Sequence, residues 1–121
     1  MIVLDEITKI YDKEPVFKNL SLRVDRGDMA FITGPSGAGK TTLLKLIYGA
    51  ERPDKGEIIV GEWHVTKLKQ KKIPLLRQEI GIVFQDFRLL PNKTVFDNVA
   101  LALTAHKLSP AAIRETVNNV L

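Results

Sequence analysis

Gly34-Pro35-Ser36-Gly37-Ala38-Gly39-Lys40-Thr41 fits the pattern G-x-x-x-x-G-K-[ST] at every fixed position. The spacing has a chemical reason. A polyphosphate needs several donors aimed at one point, and a tight loop turns successive backbone N–H groups inward into an anion nest. Glycine admits both the backbone angles and the close approach of a phosphate oxygen. A helix beginning near Gly39 adds its unsatisfied N–H groups and the positive end of its dipole. Lys40 brings a full positive charge to the outer phosphates, and the Thr41 hydroxyl can ligate Mg²⁺. Ser36 shapes the loop. Before the loop, Met29-Ala30-Phe31-Ile32 is a short continuous apolar run, as expected for a strand covered on both faces. After it, Lys40 to Tyr48 places Leu43, Leu44, Leu46 and Ile47 in a helical pattern that Gly49 and Pro53 stop. Strand, glycine turn and helix in that order predict an α/β fold built around an anion site.

The rest of the chain fills in around this unit. Ile2-Val3-Leu4 opens one strand, and Val16 to Val24 alternates apolar and polar residues with the period of a half-buried strand. Asp25-Arg26-Gly27-Asp28 is a turn cluster. Glu57-Ile58-Ile59-Val60 reads as a further strand, and Ile73 to Ile80 as a short helix with Pro74 in its first turn. Ile82-Val83-Phe84 reads as a second compact apolar strand. Thr94 to Ala105 is apolar at 95, 96, 99, 100, 101 and 103, which predicts a helix capped by Thr94 or Asn92. Ser109-Pro110 opens a last helix that runs to Leu121 without a stop signal. There is no internal repeat or low-complexity segment.

Composition narrows the class. The 121 residues are 45% hydrophobic and 26% charged, values of an ordinary globular domain. No cysteine occurs, which excludes a disulfide scaffold, a thiolate metal site and a cysteine nucleophile. No apolar run approaches the length of a membrane span, and acids at Asp5 and Glu6 stand where a leader peptide carries bases. The net charge of +4 comes wholly from residues 61–121, with nine bases against five acids. Four of those bases lie in Lys67-Leu68-Lys69-Gln70-Lys71-Lys72. Without interleaved aromatics this reads as a solvated lysine-rich loop or helix start, and no nucleic-acid partner is expected.

Beyond the phosphate loop, Gly81-Ile82-Val83-Phe84-Gln85-Asp86 resembles the Q-loop of ATP-binding cassette (ABC) ATPases, where a strand ends in a glutamine facing the nucleotide. A hairpin-like stretch separates it from the phosphate loop, as in that family. Tyr11, in Thr8-Lys9-Ile10-Tyr11, stands where the family's adenine-stacking aromatic lies. Other segments resemble the family's bacterial cell-division branch more closely than its lipoprotein- or peptide-export branches, which are the alternative. They are Asp28 to Phe31, Thr41 to Ile47, Glu51-Arg52-Pro53, Ile73 to Arg77, and Phe84 to Leu90 running into Thr94 to Ala100.

The resemblance implies an α/β P-loop NTPase fold, the N-terminal portion of one ABC ATPase domain. Residues of about 1–92 would form the antiparallel β-subdomain and nucleotide-binding core, and about 93–121 the start of the helical subdomain. ATP and Mg²⁺ are the implied cofactors. Tyr11 would stack on the base with Val16 lining its pocket, and Gly34, Pro35, Ser36, Gly37, Ala38, Gly39, Lys40, Thr41 and Thr42 would hold the phosphates. Thr41 and Gln85 would reach the metal. Lys40 and Gln85 would act in catalysis.

A membrane subunit docking on Gln85–Pro91 is the implied partner, with Phe87, Leu89 and Leu90 as an exposed apolar surface. A second copy would complete an ATP sandwich at the cytoplasmic face of the bacterial inner membrane. The family's signature, Walker B, D-loop and switch-histidine segments have no counterpart here, and His64 and His106 read as surface histidines. This chain is therefore expected to bind nucleotide weakly and turn it over negligibly.

Overall fold

The structure, a computed structural model, describes residues 1–106 and 108–121. It divides into two compact units, Met1–Glu79 and Ile80–Leu121.

The first unit is built on a four-stranded antiparallel sheet of β1 (Ile2–Tyr11), β2 (Glu14–Val24), β3 (Lys55–Val60) and β4 (Trp63–His64), in the order β2-β1-β3-β4. Asp12 and Lys13 join β1 to β2 with φ of 48° and 71°, the backbone of a two-residue type I′ hairpin whose twist matches its strands. Tyr11 thereby faces Glu14 across the hairpin mouth. The ladder shifts register near Glu6, where φ is 48°, and the Ser21 hydroxyl there accepts the Glu6 N–H at 3.1 Å.

α1 (Lys40–Ile47) lays Leu43, Leu46 and Ile47 into a core completed by Leu4, Ile7, Ile58, Val65, Ile73 and Leu76. Full burial of such side chains contributes about 1.5–3 kcal/mol each, so this one stripe holds α1 in place. α2 (Ile73–Gln78) begins with Pro74 in its first turn, as the sequence predicts. Its Arg77 donates to Tyr48 O at 3.1 Å and Gly49 O at 3.3 Å, covering carbonyls that the end of α1 leaves open. The lysine-rich segment forms two short 3₁₀ turns, Val65–Lys67 and Gln70–Lys72, with every lysine exposed.

The second unit contains α3 (Val95–Thr104) and α4 (Pro110–Val120), which pack on one another. Of the two candidate caps, Thr94 does the work. Its hydroxyl accepts Asp97 N–H at 3.1 Å while the Asp97 carboxylate accepts Thr94 N–H at 3.2 Å, a reciprocal capping box. Ser109 caps α4 by accepting Ala112 N–H at 3.3 Å.

Two sequence expectations are corrected. Met29–Ile32 and Ile82–Phe84 are not strands, and neither is covered on both faces: Met29, Phe31 and Val83 are 80%, 78% and 98% exposed. An apolar run signals that cover is required. A strand needs a hydrogen-bonded neighbour as well, and none of the described residues supplies one.

Candidate functional site

The anion loop enters α1 through Gly39, whose φ of 91° and ψ of 4° are left-handed. No side chain caps this helix start, and no acid lies in its first turn. Among the described residues, the N–H groups of Gly37, Gly39, Lys40 and Thr41 meet no protein acceptor, and only Ala38 N–H turns back within the loop, onto Pro35 O at 3.3 Å. Orphan donors at a helix start, with the positive dipole end behind them, form a nest that fits phosphate oxygens.

Val16 and Phe17 of β2 pack directly against Gly39. A Cβ placed there would lie 2.5 Å from Val16 Cγ1 and 2.8 Å from Phe17 Cζ, so the sheet fixes where the loop joins the helix. Lys40 folds back over the loop, donating from Nζ to Gly34 O and Pro35 O at 2.7 Å each. That curl places its ammonium beside the nest rather than out in solvent. Thr41 follows on the first turn of α1 and is exposed. Mg²⁺ keeps several waters and takes one or two protein groups plus substrate oxygens, so a single hydroxyl here suits it.

Tyr11, at the end of β1, is 38% exposed. Its hydroxyl donates to the Glu51 carboxylate, and Lys9 Nζ sits 4.9 Å from its ring centroid. Glu51 also receives Lys45 Nζ at 3.0 Å, and Lys9 Nζ lies 3.8 Å from its other oxygen. The Tyr11 hydrogen bond, and after it that of Lys45, pulls the Glu51 pKa below the usual carboxylate range. Partial burial and then the Glu51 carboxylate push the Tyr11 phenol up. Sequence reasoning finds Tyr11 and misses Glu51. The two are 40 positions apart and no local pattern links them.

The structure thus brings Gly34–Thr42, Val16 and Tyr11 together around α1. Gln85 belongs to the second unit, exposed at a Gln85–Asp86 turn. Beyond it Phe87 and Arg88 both have φ of 50°, and Phe87 and Leu89 are 81% and 68% exposed. The loop is no buried core. Asn98 of α3 clasps it, accepting Leu90 N–H at 2.7 Å and donating to Leu90 O at 3.2 Å. A largely apolar cavity of about 430 Å³ opens there among Leu89, Leu90, Pro91, Val95 and Val99. His64 and His106 are exposed, as expected of surface histidines.

Three kinds of comparison agree with this geometry. The ABC transporter family model matches residues 17–121. The chain is 46% identical to the cell division ATP-binding protein FtsE of Mycobacterium tuberculosis, 42% to that of Bacillus subtilis and 43% to that of Escherichia coli. Each alignment covers all of this chain and 54%, 54% and 55% of the respective relative, so the chain spans about half their length. Among solved structures, the ATP-binding cassette MJ0796 in a dimeric post-hydrolysis state bound to ADP and Pi superposes with a TM-score of 0.86 at 31% identity. That match covers 98% of this chain and 55% of the other. The structure of cbiO1 from Clostridium perfringens, part of the ABC transporter complex cbiONQ, gives a TM-score of 0.83 at 30% identity, over 98% of this chain and 47% of the other. The chain is a member of the ABC transporter family and carries part of its P-loop ATPase fold.

Proposed function

We propose that this chain is the nucleotide-binding portion of an FtsE-like ATPase subunit. The observation that carries the reading is the uncapped, left-handed Gly39 entry to α1 with Lys40 curled over the loop, a nest matched to a nucleoside polyphosphate. Gly34 to Thr42 hold the phosphates of ATP, Lys40 neutralises their charge, and Tyr11 stacks on the base with Val16 at its side. Bound Mg²⁺ would add charge neutralisation at the outer phosphates. Thr41 and Gln85 are its protein contacts on this reading, and Gln85 also orients the attacking water. Identity of 46% and 42% along this whole chain, to about half of each FtsE relative, supports the cell-division branch; lipoprotein or peptide export is the alternative.

In the whole assembly, two copies enclose two ATP, and binding and hydrolysis drive an FtsX-like integral membrane subunit that regulates septal cell-wall hydrolysis. The assembly works at the cytoplasmic face of the inner membrane. The Gln85–Pro91 loop with its apolar cavity is the docking surface for that subunit, and no nucleic acid takes part. Residues of about 1–92 act as β-subdomain and nucleotide core, and about 93–121 as the start of the helical subdomain. This chain on its own binds ATP with negligible turnover.

Titration with Mg-ATP tests the core of the reading: the folded protein binds, and Lys40→Ala abolishes binding. A folded protein that ignores ATP, or binding unchanged in Lys40→Ala, refutes it. Charged substitutions at Phe87 and Leu90 are expected to abolish capture of the membrane subunit, and unaltered capture with intact folding refutes the docking role.

A further inference from the structure

Glu51 stands at the centre of a contact set that no phosphate contact requires. Its carboxylate takes the Tyr11 hydroxyl from β1 and Lys45 Nζ from α1 at 3.0 Å, with Lys9 Nζ 3.8 Å away. Its backbone is fixed by the same helix. Just past the end of α1, Gly49 with a φ of 67° turns the chain so that Ala50 N–H and Glu51 N–H both donate to Lys45 O, at 2.8 and 3.2 Å. Lys45 therefore holds Glu51 twice, by carbonyl and by ammonium. Lys9 in turn donates to Arg52 O at 2.9 Å while its ammonium covers the Tyr11 ring. Side-chain exposure is 13% for Lys9 and 23% for Glu51, against 42% for Lys45, so solvent screens the Lys9 side of the cluster less than an ordinary surface pair.

We infer that Glu51 is the positioning residue of the nucleobase subsite, holding the Tyr11 ring at a fixed place along α1 by hydrogen-bonding its hydroxyl. This rests on Tyr11 being the stacking residue, as proposed above. The consequence follows from the helix. α1 carries the phosphate nest at its first residue, its Lys45 holds Glu51, and its Thr42 side chain also bonds the Tyr11 hydroxyl, so one helix ties the ring to the nest. An untethered ring at a strand end must lose rotamer freedom when a base stacks on it, and a tethered ring has lost it already. Glu51 touches neither base nor phosphate. It acts through Tyr11.

The test compares affinity for ATP with affinity for inorganic tripolyphosphate, by calorimetric titration of the protein and its variants. Stacking on an aromatic is worth about 1–3 kcal/mol per base, a factor of at least about five. Glu51→Ala is expected to weaken ATP about fivefold and leave tripolyphosphate unchanged. Glu51→Gln, which keeps an acceptor for the phenol, is expected to restore most of the loss. Tyr11→Phe breaks the same hydrogen bond from the other side and also removes the hydroxyl's bond to Thr42, so it should weaken ATP at least as much as Glu51→Ala, and Glu51→Ala should add nothing to it in the double variant.

Equal weakening of ATP and tripolyphosphate in Glu51→Ala overturns the inference, because a damaged helix lowers both. Unchanged ATP affinity overturns it too. Should Glu51→Ala not fold, Tyr11→Phe carries the test, and full ATP affinity in that variant overturns the inference. Tyr11→Ala separates the levels. If it leaves the ATP-to-tripolyphosphate ratio untouched, the stacking reading itself falls. If it lowers the ratio while the Glu51 variants do not, the positioning role alone falls.

Discussion

Gly39→Ala tests whether the phosphate loop is held by the sheet or only by its own turn. At φ of 91° an L-residue adopts a left-handed backbone, which costs roughly 1–2 kcal/mol. The new methyl would also lie 2.5 Å from Val16 Cγ1 and 2.8–2.9 Å from two Phe17 ring atoms. Forced contacts of that kind in a packed site cost about 1–3 kcal/mol. The expected destabilisation is therefore about 2–5 kcal/mol, read from urea denaturation. Gly37→Ala supplies the control. Its φ is 82° and a Cβ there meets nothing within 4 Å, so only the backbone cost of roughly 1–2 kcal/mol applies. Val16→Ala in the Gly39→Ala background removes the nearest obstructing atom, and the pair should be less destabilising than the two single changes added together. Equal losses for Gly39→Ala and Gly37→Ala, or strict additivity with Val16→Ala, would refute the claim that β2 clamps the loop.

Two further outcomes are expected. Thr94→Ala removes the oxygen that accepts Asp97 N–H and should cost about 1 kcal/mol by denaturant titration. No loss would mean that Asp97, still able to accept Thr94 N–H, satisfies the helix start alone. Glu51 gives a pH signature: its folded pKa lies below its ordinary value of 4.5. A depressed folded pKa contributes stability that is present above 4.5 and lost as pH falls through the lower folded value. Thermal unfolding across that acid range should show a shallower fall in Glu51→Gln than in the unaltered protein, and parallel curves would exclude the coupling.

The phosphate loop and its helix are legible in the sequence because polyphosphate chemistry ties residue type to spacing. Lys40, Thr41 and the glycines are picked out by their order alone. The strands β1 and β2 are legible in part, since alternation from Val16 to Val24 marks a half-buried ladder. The Asp12–Lys13 hairpin is not, as neither residue is a glycine or an asparagine, and its left-handed pair is imposed by the strands it joins. Tyr11 is legible by resemblance, while its tether is not. Glu51 reads as one more surface acid after a helix, and its meaning depends on a strand 40 residues earlier. Asn98 is similar. An amide amid the apolar residues of α3 is a faint signal, and only the fold shows that it grips both backbone groups of Leu90.

The misread strands identify what the phosphate site depends on. Met29–Ile32 leads into the loop and has no ladder partner among the described residues, yet the loop closes with the geometry of an anion nest. Its position must then come from elsewhere. Val16 and Phe17 press on Gly39 from β2, and Leu43, Leu46 and Ile47 anchor α1 in a core shared with Leu4, Ile7 and Ile58. Arg77 closes the far end of α1 through Tyr48 O and Gly49 O. Each support lies in residues 1–79, and each is antiparallel ladder or helix packing rather than a central strand. Exposed apolar side chains at Met29 and Phe31 are thus a matter of cover and solubility. The donors of the nest are set by β2 and α1, which is why the loop can be well formed beside a strand sequence that is not a strand.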